Sequence, residues 1–206
     1  MARLASTVFS NFNSRLHALE ITRSKVERLA SRGELVRRDV EKVYESLFLK
    51  AFTELESNIE ELFIGLLTKR ILPSSRDIIP RIVFKSDLVA REIVYGGRNY
   101  FDWFPYDRTI MLSEAFFRAG RPFTELDNAD RRKCENLLLI RNAIAHNSAH
   151  ATRQFINKVI GATPLLSRER TPSGFLRSQI VSLSSSQTRF EFFMMEMRAL
   201  VQKLSS

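Results

Sequence analysis

The chain has 206 residues, of which 44% are hydrophobic and 27% are charged, and its formal net charge is +9 at pH 7. This length is sufficient for one domain with a buried core. No apolar run approaches the roughly 18 to 20 residues that a membrane helix requires, so the sequence predicts no membrane span. The basic balance favours polyanions such as RNA as partners, because clustered lysine and arginine displace counterions from phosphates.

The single cysteine, Cys134, excludes an internal disulfide. Since unpaired cysteines are typical of reducing compartments, we expect a cytoplasmic protein. The basic, serine-containing first 19 residues also have features of a mitochondrial presequence. We favour an ordinary packed amphipathic helix, because apolar residues recur there at helical spacing. These residues are Leu4, Val8, Phe12, Leu16 and Leu19.

Helical periodicity continues through the first half of the chain. Gly33 separates the N-terminal helix from a long helix predicted over Glu34 to Lys69, in which apolar residues recur three or four positions apart. Shorter helices are predicted over Ser86 to Val94 and over Ile110 to Arg118. The long segment is expected to be the central helix of a bundle.

Between these two short helices, five aromatic residues lie within the seven positions from Tyr100 to Tyr106. One interpretation is a platform on which the bases of single-stranded nucleic acid stack. The other, which we favour, is a loop whose rings close one end of the bundle, because aromatic side chains bury large areas wherever they occur.

In the second half, Asp127 or Asn128 is expected to cap a helix that runs from Ala129 to about Thr152, here called the motif helix. The last helix is predicted over Gln187 to Leu204, whereas the pattern from Phe175 to Leu183 fits either a strand or a helix. No hairpin signal competes with the helices.

We therefore predict an all-α fold, a bundle of about five or six helices with a long central helix. It is predicted to be a single domain over residues 1–206. This domain comprises an N-terminal helix at 1–33, a core with the motif helix at 34–152, and a C-terminal helical segment at 175–206.

The candidate chemistry lies in the motif helix, at Arg141, Asn142 and His146. Residues four apart on an α-helix point in nearly the same direction, so Asn142 and His146 share one face. His150 is expected one turn further along this face, and Glu135 lies two turns before Asn142. The long side chain of Arg141 can bring its guanidinium over the same face.

This string resembles the motif of the HEPN superfamily, small α-helical bundles whose endoribonuclease members carry an Arg, a following polar residue, and a His five positions after the Arg. Here Asn142 follows Arg141, and His146 stands five positions after Arg141. The segment from Tyr44 to Glu56 is also similar to the long helix of the RiboL-PSP-HEPN branch. The six-residue motif is the specific part, and the general likeness extends over Leu35 to Thr152.

The resemblance implies a HEPN-like bundle that acts as a metal-independent endoribonuclease of toxin or phage-defence type, with Arg141, His146 and Asn142 as catalytic residues. In such a reaction the ribose 2′-OH attacks the adjacent phosphate. Histidine exchanges protons near neutral pH, and arginine matches phosphate oxygens. HEPN ribonucleases are typically homodimers whose two motifs meet across the interface, which implies one shared cleft. A toxic nuclease would require restraint by an antitoxin or regulatory protein.

Four further basic residues are candidates for contact with the RNA backbone: Arg131, Arg132, Lys133 and His150. The alternative for the triplet is a solvated face. His146 and His150 also have the spacing of helical zinc ligands. Because no cysteine pair is present to complete a tetrahedral site, we expect neither a metal nor another cofactor.

Three other interpretations remain. In the first, the chain is a non-catalytic HEPN-like module that binds RNA, nucleotides or a partner protein. In the second, it pairs with a nucleotidyltransferase. The third is a helical scaffold in which Arg141 pairs with Glu135 or Glu45 and His146 is a packing residue.

Overall fold

The computed structural model describes residues 2–146, 148–182 and 185–206. This part of the chain contains eight α-helices and four strands of two to four residues, so the predicted all-α fold is confirmed. The helices are α1 (Ala5–Ser31), α2 (Arg37–Leu67), α3 (Asp87–Val94), α4 (Tyr106–Phe116), α5 (Asn128–Ala145), α6 (Ala149–Gln154), α7 (Pro172–Arg177) and α8 (Arg189–Ser205). None of them combines the length and the apolar character that crossing a membrane requires.

The strands form two small pairs. They are β1 (Arg3–Leu4), β2 (Ile71–Leu72), β3 (Gln179–Ser182) and β4 (Ser185–Thr188). β1 and β2 run parallel, whereas β3 and β4 run antiparallel with Gln179 opposite Thr188. Short 3₁₀ turns occur at Arg118–Gly120, Phe123–Glu125 and Ser167–Glu169, and a π-helical turn, Phe155–Ile160, follows α6.

Four predicted helices occur close to their predicted positions. α1 confirms the N-terminal helix, and Val8, Phe12 and Leu16 of its apolar stripe are fully buried. α2 confirms the long helix, with 31 residues. α3 begins after Ser86, whose side chain accepts a hydrogen bond from the backbone of Val89 as an N-cap. α4 starts four residues before its predicted beginning and ends two residues early.

The prediction of one continuous motif helix to Thr152 is wrong. α5 ends at Ala145, and the backbone N–H of Ser148 donates to the carbonyl of His146 at 2.8 Å. The Ser148 hydroxyl then accepts from the backbone of Ala151 and caps a new helix, α6. A serine that satisfies backbone groups in this way competes with a continuing helix.

The start of the last helix also differs from its prediction, because Gln187 and Thr188 belong to β4. Thr188 and Glu191 form a capping box. The backbone N–H of Thr188 donates to the Glu191 carboxylate at 2.9 Å, and the backbone N–H of Glu191 donates to the Thr188 hydroxyl at 3.3 Å. The segment from Phe175 contains both the end of α7 and the strand β3. Its predicted last residue, Leu183, lies outside the described residues.

The contacts of the chain divide it into two compact units that alternate in sequence. The first unit comprises Met1–Asn13, Glu54–Glu135 and Met197–Ser206. The second comprises Ser14–Thr53 and Asn136–Glu196. The organisation of residues 1–206 as a single domain stays a prediction.

In the first unit, Phe63 of α2 is the centre of an aromatic cluster. Its ring centroid lies 5.2 Å from that of Trp103, 5.0 Å from that of Phe117 and 4.9 Å from that of Phe123. Phe63 and Phe123 are completely buried. Residues 100–106 are here called the aromatic segment, and one of its rings, that of Trp103, therefore lies in this core cluster.

Three rings of the aromatic segment, on Trp103, Phe104 and Tyr106, are buried. The Tyr106 hydroxyl donates to the carbonyl of Phe123 at 3.0 Å, and Thr109 donates to the carbonyl of Trp103 at 2.7 Å. These three rings are core residues, so they are not free to stack on bases. Tyr100, in contrast, is 69% exposed.

In the second unit, a half-buried polar cluster surrounds the buried Tyr44 of α2. The Tyr44 hydroxyl donates to Oε1 of Glu27 at 2.9 Å, and Arg177 donates to both oxygens of the same carboxylate at 2.8 and 2.9 Å. Burial raises the pKa of Tyr44 to about 12, with the nearby Glu27 acting in the same direction. Burial alone would raise the pKa of Glu27. The hydrogen bonds that its carboxylate accepts from Arg177 and Tyr44 outweigh burial, so the pKa of Glu27 is lowered.

The stability of the folded chain is expected to fall between about pH 10 and pH 12 through Tyr44. Its pKa is about 12 in the folded chain but about 10 in an unfolded one. The folded state thus retains this proton more tightly, and the stabilisation that is complete below pH 10 disappears as the pH rises towards 12. The free energy of unfolding, measured with urea at each pH, should decline less steeply in Tyr44→Phe.

The matched control is Tyr100→Phe, which removes an exposed hydroxyl and should leave the wild-type pH dependence unchanged. Equal alkaline slopes for wild type and Tyr44→Phe would show that the buried hydroxyl is not the group that titrates.

Candidate active site

Helix α5, which carries the motif, is held at both its start and its middle. Asp127, rather than Asn128, caps it: its side chain accepts from the backbone N–H of Ala129 at 2.8 Å and of Asp130 at 2.9 Å. Leu137, one turn before Arg141, and Ile140, directly before it, are fully buried. The motif residues follow directly and lie in the second unit.

Arg141 connects the three predicted catalytic residues. Its Nη1 donates to Oδ1 of Asn142 at 3.1 Å and lies 3.4 Å from Nε2 of His146. The helical spacing explains this proximity, because the backbone N–H of His146 still donates to the carbonyl of Asn142 at 2.9 Å. The structure therefore brings all three side chains together at the C-terminal end of α5.

The contact between Arg141 and His146 joins a guanidinium nitrogen to a ring nitrogen. A guanidinium has only donors, so a hydrogen bond between the two requires Nε2 of His146 to accept. If Arg141 turns to a phosphate oxygen instead, the lone pair of Nε2 becomes free to accept a proton.

The candidate site opens to solvent. Arg141 and Asn142 are half-buried, and His146 is exposed. The scaffold interpretation, in which His146 is a packing residue, is therefore wrong for this side chain.

His150 does not extend the face of Asn142 and His146, which corrects its predicted position. It lies in α6, beyond the end of α5, and is exposed. The spacing of four residues that suggests a pair of helical zinc ligands consequently does not place His146 and His150 on one helix. Among the described residues, no group of three or more His, Cys, Asp or Glu side chains is arranged to hold a metal ion.

The basic triplet lies at the start of α5 and belongs to the first unit. Arg131 donates from Nε to the carbonyl of Leu126 at 3.2 Å, and Nζ of Lys133 lies 3.4 Å from the buried carboxylate of Asp130. Arg132 is exposed. Two of the three side chains thus have contacts that organise the beginning of the helix, and their contact with RNA stays a prediction.

Cys134 is 2% exposed, so it is a core residue of α5. Burial raises the pKa of its thiol to about 12, and the nearby Asp130 adds to this effect. Its thiolate form is therefore strongly disfavoured at neutral pH, which excludes it as a nucleophile there.

One arrangement in the second unit has no counterpart in the sequence predictions. Four arginines, at positions 37, 168, 177 and 189, line one open cavity of about 790 Å³. Arg37 and Arg168 are 131 positions apart, yet Nη2 of Arg37 donates to the carbonyl of Arg168 at 3.3 Å. No local pattern signals such a cluster, because its members come from four separate elements.

No family model, curated protein or solved structure matches the chain. The resemblance to HEPN ribonucleases stays a prediction from the sequence.

Proposed function

We propose that this protein is a metal-independent endoribonuclease of HEPN type that cleaves RNA by attack of the ribose 2′-OH. The observation that carries the proposal is the contact of one Arg141 nitrogen with both Asn142 and His146 at an exposed helix end. The net charge of +9 supports a polyanionic substrate.

Each of the three side chains has a distinct role in the proposed reaction. Arg141 turns from Nε2 of His146 to the phosphate, and Nε2 then accepts the proton of the 2′-OH while the 2′-oxygen forms its bond to phosphorus. Arg141 binds the phosphate oxygens, whose charge grows as the pentacoordinate state forms. Asn142 holds the guanidinium through its carbonyl oxygen, which fixes the direction of Arg141.

The bond from phosphorus to the 5′-oxygen then breaks, and this oxygen takes a proton from a general acid. One His146 has just received a proton on the attacking side, so a second imidazole is the simplest donor on the leaving side. A homodimer in which two copies of the motif line one cleft supplies this second imidazole. The products are a 2′,3′-cyclic phosphate and a 5′-hydroxyl end.

In a cell, this activity is that of a cytoplasmic toxin or phage-defence nuclease, under the restraint of an antitoxin or regulatory protein. The reason is physical: neither a metal nor another cofactor is needed in the proposed mechanism, so the availability of a cofactor does not limit cleavage. A bound partner is the restraint that we propose.

The wild-type protein is expected to cut single-stranded RNA in the presence of EDTA. The 3′ ends of the upstream fragments should carry cyclic phosphate, which mass spectrometry identifies. The matched substrate has a single 2′-deoxy sugar at the cut position and should resist cleavage there, because it lacks the attacking hydroxyl.

Cleavage of the deoxy position, or a strict requirement for a divalent cation, would exclude this mechanism. Full activity in a protein that is monomeric by light scattering would exclude the shared cleft. RNA binding without any cleavage would favour the non-catalytic HEPN-like module instead.

A further inference from the structure

The four-arginine cavity of the second unit is assembled from separate elements. Arg37 begins α2, Arg168 lies in the 3₁₀ turn Ser167–Glu169, Arg177 ends α7 and Arg189 begins α8. Among the described residues that line it, Glu169 is the only acidic one, and one Oε of Glu169 accepts from the backbone of Leu166 at 3.0 Å. The lining side chains thus carry four positive charges and one negative charge.

Two of the four arginines are neutralised from outside the cavity. Arg177 forms a bidentate pair with Glu27, at 2.8 and 2.9 Å. Nε of Arg37 donates to Oε1 of Glu41, one turn along α2, at 2.5 Å. These two guanidiniums are held in place by their carboxylates, so they contribute fixed donors to the wall of the cavity.

Arg189 is held differently, by neutral groups. Its Nη1 donates to the hydroxyl of Ser178 at 2.6 Å and to the carbonyl of Gln179 at 3.0 Å, and its guanidinium carbon lies 5.0 Å from the centre of the Phe175 ring. Burial lowers the pKa of Arg189, and Glu169 opposes this effect only in part. Because these partners are neutral and the side chain is half-buried, an arriving anion gains a charge-assisted hydrogen bond to the guanidinium.

The other residues that line the cavity are suited to contact an organic ligand. Pro164, Leu165 and Ile180 provide apolar surface, and Thr163 adds a hydroxyl group. Its volume of about 790 Å³ is within the range of small-molecule pockets. Arginine forks beside a modest apolar surface suit a phosphate group attached to a ribose and a base.

We propose that this cavity binds a nucleoside 5′-phosphate, with Arg168 and Arg189 as the principal contacts to the phosphate. The same chemistry is present in a free nucleotide and in the 5′-phosphorylated end of an RNA. This binding site is separate from the proposed ribonuclease activity, and none of its lining residues belongs to the motif.

Calorimetric titration of the full chain with ATP, AMP and adenosine tests the proposal. ATP should bind, and adenosine should bind at least tenfold more weakly, since it lacks the phosphates. Arg168→Gln and Arg189→Gln should each weaken ATP binding by about tenfold or more. Arg170→Gln, which removes the same charge from an exposed neighbour outside the cavity, should change the affinity by less than twofold.

A second titration separates the two sources of the phosphate. It compares 5′-phosphorylated with 5′-hydroxyl 2′-O-methyl oligonucleotides, which cannot be cleaved through the 2′ position. A preference for the phosphorylated oligonucleotide without binding of ATP or AMP assigns the cavity to RNA ends. Binding of the free nucleotides assigns it to a small ligand.

The proposal is overturned if adenosine binds as tightly as ATP, if no phosphorylated probe is preferred, or if Arg168→Gln behaves like Arg170→Gln. Because Arg189 also anchors the residues that lead into β3, thermal unfolding is measured for each variant. Arg168→Gln, on an exposed side chain, carries the test if Arg189→Gln does not fold. His146→Ala should retain ATP binding, so failure of the ribonuclease proposal and failure of this one are distinguishable.

Discussion

Replacing His146 with alanine is expected to reduce the rate of RNA cleavage by roughly 10²- to 10⁴-fold, the usual contribution of a general acid or base. The Nε2 lone pair that contacts Arg141 at 3.4 Å is the group that would be lost. Because His146 is exposed at the end of α5, its truncation leaves no cavity and should not change the fold. The measurement is the single-turnover rate on a fluorescent RNA in EDTA, with circular dichroism as the check on folding.

The matched control is His17→Ala, which removes another exposed imidazole, on α1, where Nδ1 of His17 lies 3.7 Å from the carboxylate of Glu20. This variant should cut RNA at the wild-type rate. Equal rates for wild type and folded His146→Ala would refute the catalytic assignment. An equal fall in both variants would instead indicate a general loss of charge or folding.

Arg141 provides a second, sharper comparison at the same site. Arg141→Lys keeps the positive charge but loses the planar fork that reaches Asn142 and His146 together. If the fork matters, Arg141→Lys will be closer in rate to Arg141→Ala than to wild type. A lysine variant with wild-type activity would reduce the role of Arg141 to a point charge.

Replacing Phe63 with alanine is expected to lower the free energy of unfolding by about 3 to 5 kcal/mol, the range for deletion of a fully buried aromatic ring. Phe63 is 0% exposed, and its ring contacts those of Trp103, Phe117 and Phe123 at centroid distances of 4.9 to 5.2 Å. The loss combines the transfer of the ring to water with a cavity that its neighbours cannot fill. Urea unfolding followed by tryptophan fluorescence measures it directly, since Trp103 is the only tryptophan.

Met111→Ala serves as the control for this variant. Met111 is a large apolar side chain on α4 of the same unit, but it is 72% exposed, so its removal should change the stability by no more than about 0.5 kcal/mol. A loss below about 1 kcal/mol for Phe63→Ala would mean that the aromatic cluster repacks around the vacancy, contrary to the close packing described above.

Much of the fold was predictable because the relevant signals are local. The apolar spacing of Val8, Phe12 and Leu16 predicts the buried stripe of α1, and the same spacing predicts α2 to within a few residues of its ends. The common face of Asn142 and His146 follows from the 3.6-residue period, and the long side chain of Arg141 reaches that face from the neighbouring position.

The errors at helix ends have a common cause, which is competition between periodicity and capping. The Ser148 hydroxyl caps α6, but the helical pattern on both sides of Ser148 predicts one continuous helix. Thr188 and Glu191 have the spacing of a capping box, and this spacing marks the observed start of α8. Side-chain hydrogen bonds to the backbone decided both positions.

The sequence by itself determined the motif of the candidate site, the helical class and the basic charge, because each depends on residue types and short spacings. Tertiary structure decided which aromatic rings enter the core, that His150 leaves the motif helix, and that four distant arginines share one cavity. These outcomes depend on which elements pack together, and contacts between residues as far apart as Arg37 and Arg168 leave no trace in local periodicity.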